Sequence, residues 1–214
     1  MPPNWAATRD DLAFRYLHGE GIEIGALYRP QRVPADARVR HVDHAPHDEL
    51  QRIYPGHDWI QAPDVVDEAE RLDKFGDESL DFVIANHVLE HIEDPVAGLN
   101  TFLRVLRPGG ILFITLPDPR YSFDGRRDRT TVEHVLRDHD EGPEVSRQQH
   151  YAEWSQYIDG NKTPEEYAAE DARHHFHVWE LQTLVALLLA LDLPITIEAA
   201  VATEPEFSVV FRKL

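Results

Sequence analysis

Dense apolar runs and longer stretches of helical period alternate along this chain. Leu80-Asp81-Phe82-Val83-Ile84-Ala85 is too rich in β-branched and aromatic residues for a solvent-facing loop, and Asn86-His87 then sets polar groups at its end. This pattern predicts a buried parallel strand. From Pro95 onward Val96, Leu99, Leu103 and Leu106 recur at helical spacing, until Arg107-Pro108-Gly109-Gly110 stops the helix and turns the chain into Ile111 to Leu116. The segment from Leu80 to Pro117 is therefore one strand-helix-strand unit.

The same reading extends in both directions. Residues 9–18 form a predicted helix with Leu12, Phe14, Tyr16 and Leu17 partly inward, leading to a first core strand at Ile22-Glu23-Ile24-Gly25. Arg38 to Asp43 alternates as a second strand, Asp48 to Tyr54 reads as a short helix, and a third strand is expected near Trp59-Ile60-Gln61. Toward the end, Val178 to Leu191 is a leucine-rich helix. Ile195 to Val201 and Phe207 to Arg212 then alternate as two strands around Thr203-Glu204-Pro205-Glu206, which suits an antiparallel hairpin. Seven strands in βαβ order with a closing hairpin predict an α/β fold.

Asp118 to Phe176 interrupts this order with a polar stretch rich in Arg, Asp, Glu, His and Tyr. It reads as a helical cap inserted into a single domain spanning residues 1–214, with the cap at 118–176. Thr130-Thr131-Val132-Glu133 resembles a helix start with reciprocal capping, and Val145 to Ile158 and Pro164 to Arg173 are further helices. Gly142-Pro143 and Gly160 to Pro164 serve as hinges.

Composition narrows the chemistry. With 39 acidic against 21 basic residues, the formal charge of −18 repels phosphate backbones, and nucleic acid is excluded as a partner. The absence of cysteine removes disulfides, thiolate metal cages and cysteine nucleophiles. No apolar run reaches the roughly 18 residues of a membrane span, and the start lacks the basic and apolar regions of a signal peptide, so a cytoplasmic protein without a membrane partner is expected. Oligomeric state does not follow from the pattern.

Two motifs within the central unit carry a family resemblance. Asp81-Phe82-Val83-Ile84 with His87-Val88-Leu89-Glu90-His91-Ile92, and the turn Arg104-Val105-Leu106-Arg107-Pro108-Gly109-Gly110, resemble the middle of class I methyltransferases that use S-adenosylmethionine. The resemblance implies a Rossmann-like seven-stranded methyltransferase sheet, with the cofactor beyond the strand ends. Glu23 and Gly25 then correspond to the residues that meet the methionine part of the cofactor, although Ala26-Leu27-Tyr28-Arg29-Pro30 replaces the usual further glycines. Asp43 corresponds to the acidic residue on the ribose, and Asp67 or Glu68 to the one beside adenine. Asn86 and His87 are expected near the transferable methyl. His91, a turn further on, reads as a packed or capping residue.

Methyl transfer to an alcohol needs in-line alignment and removal of the hydroxyl proton. His150 and Glu153, three apart on a predicted helix, are the expected base and its orienting carboxylate. Asp118, Asp124 and Arg127 follow the fifth strand and are expected to face the acceptor, together with His174, His175 and His177. The latter segment also admits a divalent metal, with His175 and His177 on one side of an extended stretch, though packing or substrate contact is the favoured reading. The E-I-G-A start, the F-D-x-x-R segment, the His150–Glu153 pair and the H-F-H-V-W segment resemble bacterial methyltransferases associated with sugar and polysaccharide modification. They imply a small-molecule or oligosaccharide acceptor. The rival readings are a dinucleotide-dependent oxidoreductase, which lacks its G-x-G-x-x-G here, and a non-catalytic binding module of the same fold.

Overall fold

Leu80–Asn86 (β4) is the central strand, and Phe82, Val83, Ile84 and Ala85 on it are completely buried. The computed structural model describes residues 5–170 and 174–214. Around β4 lie β1 (Gly19–Ile24), β2 (Ala37–Asp43), β3 (Val65–Val66), β5 (Leu106–Pro117), β6 (Ile195–Thr203) and β7 (Glu206–Lys213). Their order is β3-β2-β1-β4-β5-β7-β6, parallel through β5, with β7 antiparallel to both its neighbours. This is the expected α/β Rossmann-like sheet with its terminal hairpin.

Period-two alternation sends the two halves of each strand's side chains to different layers. Val83, Ala85, Leu112 and Ile114 join α3 (Pro95–Val105) and α7 (Leu181–Ala190) in the larger core, while Phe82, Ile84, Ile111 and Phe113 meet Ala13 on α1 (Trp5–Tyr16) and Leu17 just past its end. Phe14 does not turn inward as expected and is 46% exposed, because Ala13 and Leu17 are the positions that face the sheet. Gly21 is required where β1 passes Phe82, since a Cβ there would lie 2.3 Å from its ring. Asp94 caps α3 by accepting from the Ala97 amide at 3.0 Å.

Three elements differ from the sequence expectation. The third strand is Val65–Val66, paired with Val42 and Asp43, and not Trp59-Ile60-Gln61. That earlier segment packs as coil over α2 (His47–Ile53), with only Ile60 buried, against Ala45 and Leu50, while Trp59 is 54% exposed. In the cap, α4 (Val132–Glu141) starts at Thr131, whose hydroxyl accepts from the His134 amide. The Thr130 hydroxyl instead accepts from the Val178 amide at 2.8 Å. The reciprocal capping box occurs at Thr163 and Glu166, ahead of α6 (Pro164–Ala169), and residues 171–173 of the expected longer helix lie outside the described residues. Because Val178 is tied to Thr130 through both amide and carbonyl, residues 174–180 form an extended strap and α7 begins only at Leu181. Between α4 and α6 lies α5 (Glu144–Tyr157). No helix among the described residues is long and apolar enough to cross a membrane.

Candidate active site

Parallel α/β sheets leave a crevice beyond the carboxyl ends of their strands. Here Gly25 after β1, Asp43 and His44 at β2, Asp67 after β3, and His87 and His91 after β4 line such a cleft. Gly25 sits at φ 63°, and a Cβ there would meet nothing nearer than Val88 at 3.7 Å, so the position is open as well as left-handed. Leu27 takes φ 46° and His87 φ 54°, two non-glycine residues in a costly region, both on the cleft wall. The loop therefore turns without its usual extra glycines by placing Leu27 in that conformation. The Leu27 carbonyl accepts from the Gln61 amide at 2.6 Å, which fixes it.

Asp43 Oδ1 accepts from the His44 amide at 2.8 Å, and no hydrogen bond within the described residues reaches Oδ2. Asp67 lines the cleft but spends both oxygens on the Glu68 and Lys74 amides, and Glu68 does not reach the wall. Asp67 thus holds the loop on that side of the cleft, and neither acid presents a free carboxylate oxygen there. Glu23, 1% exposed, turns its carboxylate to the Gln31 amide at 2.9 and 3.0 Å and away from the cleft wall. Burial pushes its pKa up to about 7 against the opposing effects of that amide and of Arg9. Asn86 donates to Gln31 Oε1, and its own Oδ1 is buried without a partner.

His87 bridges two acids, with Nε2 2.9 Å from Glu206 and Nδ1 3.5 Å from Glu90. Burial opposes its charge, but the hydrogen bonds and negative charges of Glu206 and Glu90 outweigh that and hold its pKa up to about 9. Arg9, 3.4 Å from Glu206, is the other cation of the group. A raised histidine pKa stabilises the fold fully below the free value near 6.5, and that contribution is lost as pH rises through about 9. Thermal melts across this window should show an alkaline decline that His87→Gln flattens; parallel profiles for the two proteins would refute the ion-pair account. The charged His87 also has no lone pair with which to act as a base at neutral pH.

His91 is different. Its Nδ1 lies 3.0 Å from the His174 carbonyl, which can only accept, so Nδ1 carries the proton and Nε2 keeps its lone pair. Burial, with the charges of His175 and His87, lowers its pKa below the ordinary histidine value despite Glu90. His91 thus packs on His175 and holds the His174 carbonyl, in line with the packed or capping role expected of it, and its neutral imidazole also reaches the cleft wall.

The residues expected to face the acceptor are turned inward. Asp124 and Arg127 are buried and bonded to each other at 2.8 Å, and Asp124 also holds His175 Nδ1 at 2.6 Å. Asp118 is bound by the backbone amide and guanidinium of Arg120. His150 and Glu153 do not form the expected base pair: Glu153 accepts from Gln149 at 3.0 Å, while His150 meets His134 at 3.3 Å. His150 is 5% exposed and off the cleft wall, and burial with neighbouring positive charge lowers its pKa to about 2. His174, His175 and His177 separate, their rings packing on Tyr151, His91 and His150 respectively.

The fold has many solved counterparts. A methyltransferase structure from Aquifex aeolicus, described as S-adenosylmethionine-dependent, aligns over 98% of this chain and 98% of its own, at 11% identity and TM-score 0.52. One from Mesorhizobium loti with the same described dependence aligns over 97% and 96%, at 13% identity and TM-score 0.52. A structure described as a putative zinc-dependent alcohol dehydrogenase from Rhodobacter sphaeroides aligns over 100% and 91%, at 15% identity and TM-score 0.57. At such identities the alignments show a shared fold only. No protein of curated function matches the sequence. Residues 21–114, which carry β1 through β5 and most of the cleft, match the family described as a methyltransferase domain. Over these residues the chain is similar to methyltransferase domains, a family whose methyl donor is S-adenosylmethionine. Two residues on the cleft wall suit that methyl donor, an open left-handed Gly25 and a free carboxylate oxygen of Asp43 at the end of β2, whereas Asn86, expected near the methyl, is off the wall with its Oδ1 buried.

Proposed function

We propose that the protein methylates a hydroxyl of a sugar or glycan precursor, with His91 as general base. The observation that supports this reading is a run of rings leading out of the cleft: His91 packs edge-on to His175 at 4.6 Å, and Phe123, 54% exposed, lies on His175 at 4.7 Å. Trp154 flanks Phe123 at 5.7 Å. An exposed aromatic surface beside a polar base suits an acceptor that is polyhydroxylated on its edges and apolar on its C–H faces.

S-adenosylmethionine supplies, when bound, a methyl carbon made electrophilic by its sulfonium. Asp43 would accept from a ribose diol through Oδ2. His91 takes the hydroxyl proton at Nε2 while the His174 carbonyl keeps the ring oriented. Mass spectrometry of candidate acceptors after incubation with the cofactor tests the reading. Methylated sugar hydroxyls support it, and methylation confined to amines or carboxylates overturns it.

Asp43→Ala should weaken S-adenosylmethionine binding about 10- to 100-fold, the worth of one or two hydrogen bonds to a charged group. Isothermal titration measures this directly, and an unchanged Kd would remove Asp43 from the ribose.

A further inference from the structure

Away from the cofactor cleft, three histidines from separate parts of the cap turn their rings on one point. His134 lies on α4, His150 on α5 and His177 on the strap, and one ring nitrogen of each is within 4.8 Å of the others. The ring planes cross at 83°, 75° and 72°, so they meet edge to edge like propeller blades. His134 Nε2 and His150 Nε2 are 3.3 Å apart. That is the separation of two ligands on one tetrahedral ion held at about 2.0–2.1 Å from each nitrogen. Asp138, a helical turn beyond His134, places Oδ2 3.1 Å from His134 Nε2 and 3.8 Å from His150 Nε2.

Protons alone leave this cluster unsatisfied. His177 gives its Nε2 hydrogen to the Glu93 carbonyl, so its Nδ1 holds a lone pair, and that atom is buried without a partner. Asp138 is fully buried, and its Oδ2 accepts no hydrogen bond. The two Nε2 atoms share one proton at most. A buried carboxylate and two or three imidazole lone pairs aimed together call for a cation at their centre.

We propose that His134, Asp138, His150 and His177 bind a divalent transition-metal ion, with zinc the best match to three imidazoles and a carboxylate in tetrahedral array. The surrounding groups orient the ligands as metal sites require. Ser146 donates to Asp138 Oδ1 at 2.5 Å, and the Glu93 carbonyl holds His177. Three features oppose the arrangement: the buried Arg127 guanidinium adds positive charge near His150 and His177, His150 Nδ1 is buried without an acceptor, and the Arg137 guanidinium lies 3.2 Å from His134 Nδ1, the atom that must carry the proton once Nε2 coordinates. Arg137 is 45% exposed and already donates to Ser146 at 2.6 Å, so it has both solvent and a partner to turn to. A cavity reaching His134 and His150 past Thr131 and Gln149 gives the ion its entry path.

The role that follows is structural. The cap's own apolar cluster is small, Tyr151, Tyr167 and Phe176 with Trp154 against them, and an ion joining α4, α5 and the strap would fasten what that cluster cannot. None of the four ligands lines the cofactor cleft.

The test uses the full chain purified without a histidine tag. Elemental analysis should find about one zinc per chain after extensive dialysis. Chelation should lower Tm, and zinc should restore it. Asp138→Asn and His177→Asn should retain at least about tenfold less zinc, and Ser146→Ala should weaken zinc affinity about 10- to 100-fold while leaving the four ligands in place. Cobalt replacement should give the visible bands of a tetrahedral site in the wild type and not in His177→Asn. The proposal is overturned if chelated wild type, still folded by circular dichroism and still binding S-adenosylmethionine, takes up no zinc and shows no shift in Tm. It is equally overturned if the wild type and Asp138→Asn retain the same zinc, which would mark adventitious metal.

Discussion

His91→Asn should lower kcat by about 10²- to 10⁴-fold while leaving S-adenosylmethionine affinity within a few-fold of wild type, the loss expected when a general base is removed and the binding groups remain. Asparagine can still donate to the His174 carbonyl through its amide, so the strap keeps its anchor and the deficit reports the missing lone pair at Nε2. The pH profile gives a second readout. A base must be unprotonated, so activity should fall as pH drops through a value below the ordinary histidine pKa of about 6.5, because burial and the charges of His175 and His87 oppose protonation of His91. His91→Asn should lose that acid limb along with its rate. Turnover close to wild type in the variant, or an acid limb that survives the substitution, would assign the proton to solvent or to another group.

This prediction rests on a residue that sequence reading had set aside, and the reason is physical. The central strand, helix and turn were legible because their period is local: Phe82 to Ala85 alternate between two layers, and Val96, Leu99 and Leu103 repeat on one helical face. The third strand was not, since two valines at a sheet edge leave no alternation to read, whereas Trp59-Ile60-Gln61 imitates one. The cleft was legible at Gly25, Asp43 and His87, which stand at strand ends. The state of His91 depends instead on a carbonyl 83 residues further along the chain. The same holds for the cap, where His150 was paired with Glu153 by helical spacing but meets His134 across helices. Only His134 and Asp138, four apart on α4, left a local trace of the cluster they join. Helical spacing shows which side chains can meet on one helix; the packing of α4, α5 and the strap decides which do.

The buried network of Asp124, Arg127 and His175 leads to the second large effect. Arg127 is sealed from solvent, donates to Asp124 at 2.8 Å and to the Phe176 carbonyl at 3.2 Å, and lies 3.6 Å from Glu153. Arg127→Met should destabilise the protein by about 3–5 kcal/mol, the cost of leaving a buried carboxylate without its cation rather than the worth of the pair itself. Adding Asp124→Asn should recover part of that loss, because the neutral amide oxygen can still accept from His175 Nδ1 while no buried charge remains unpaired. Denaturant melts of the two single variants and the double variant measure the coupling, and strictly additive losses would show that Asp124 and Arg127 act apart. A sub-additive result would explain why residues whose types suggest an acceptor site are turned away from it: the charges that hold the strap against residues 89–91, through Phe176 and His175, are the same ones that orient the wall carrying His91.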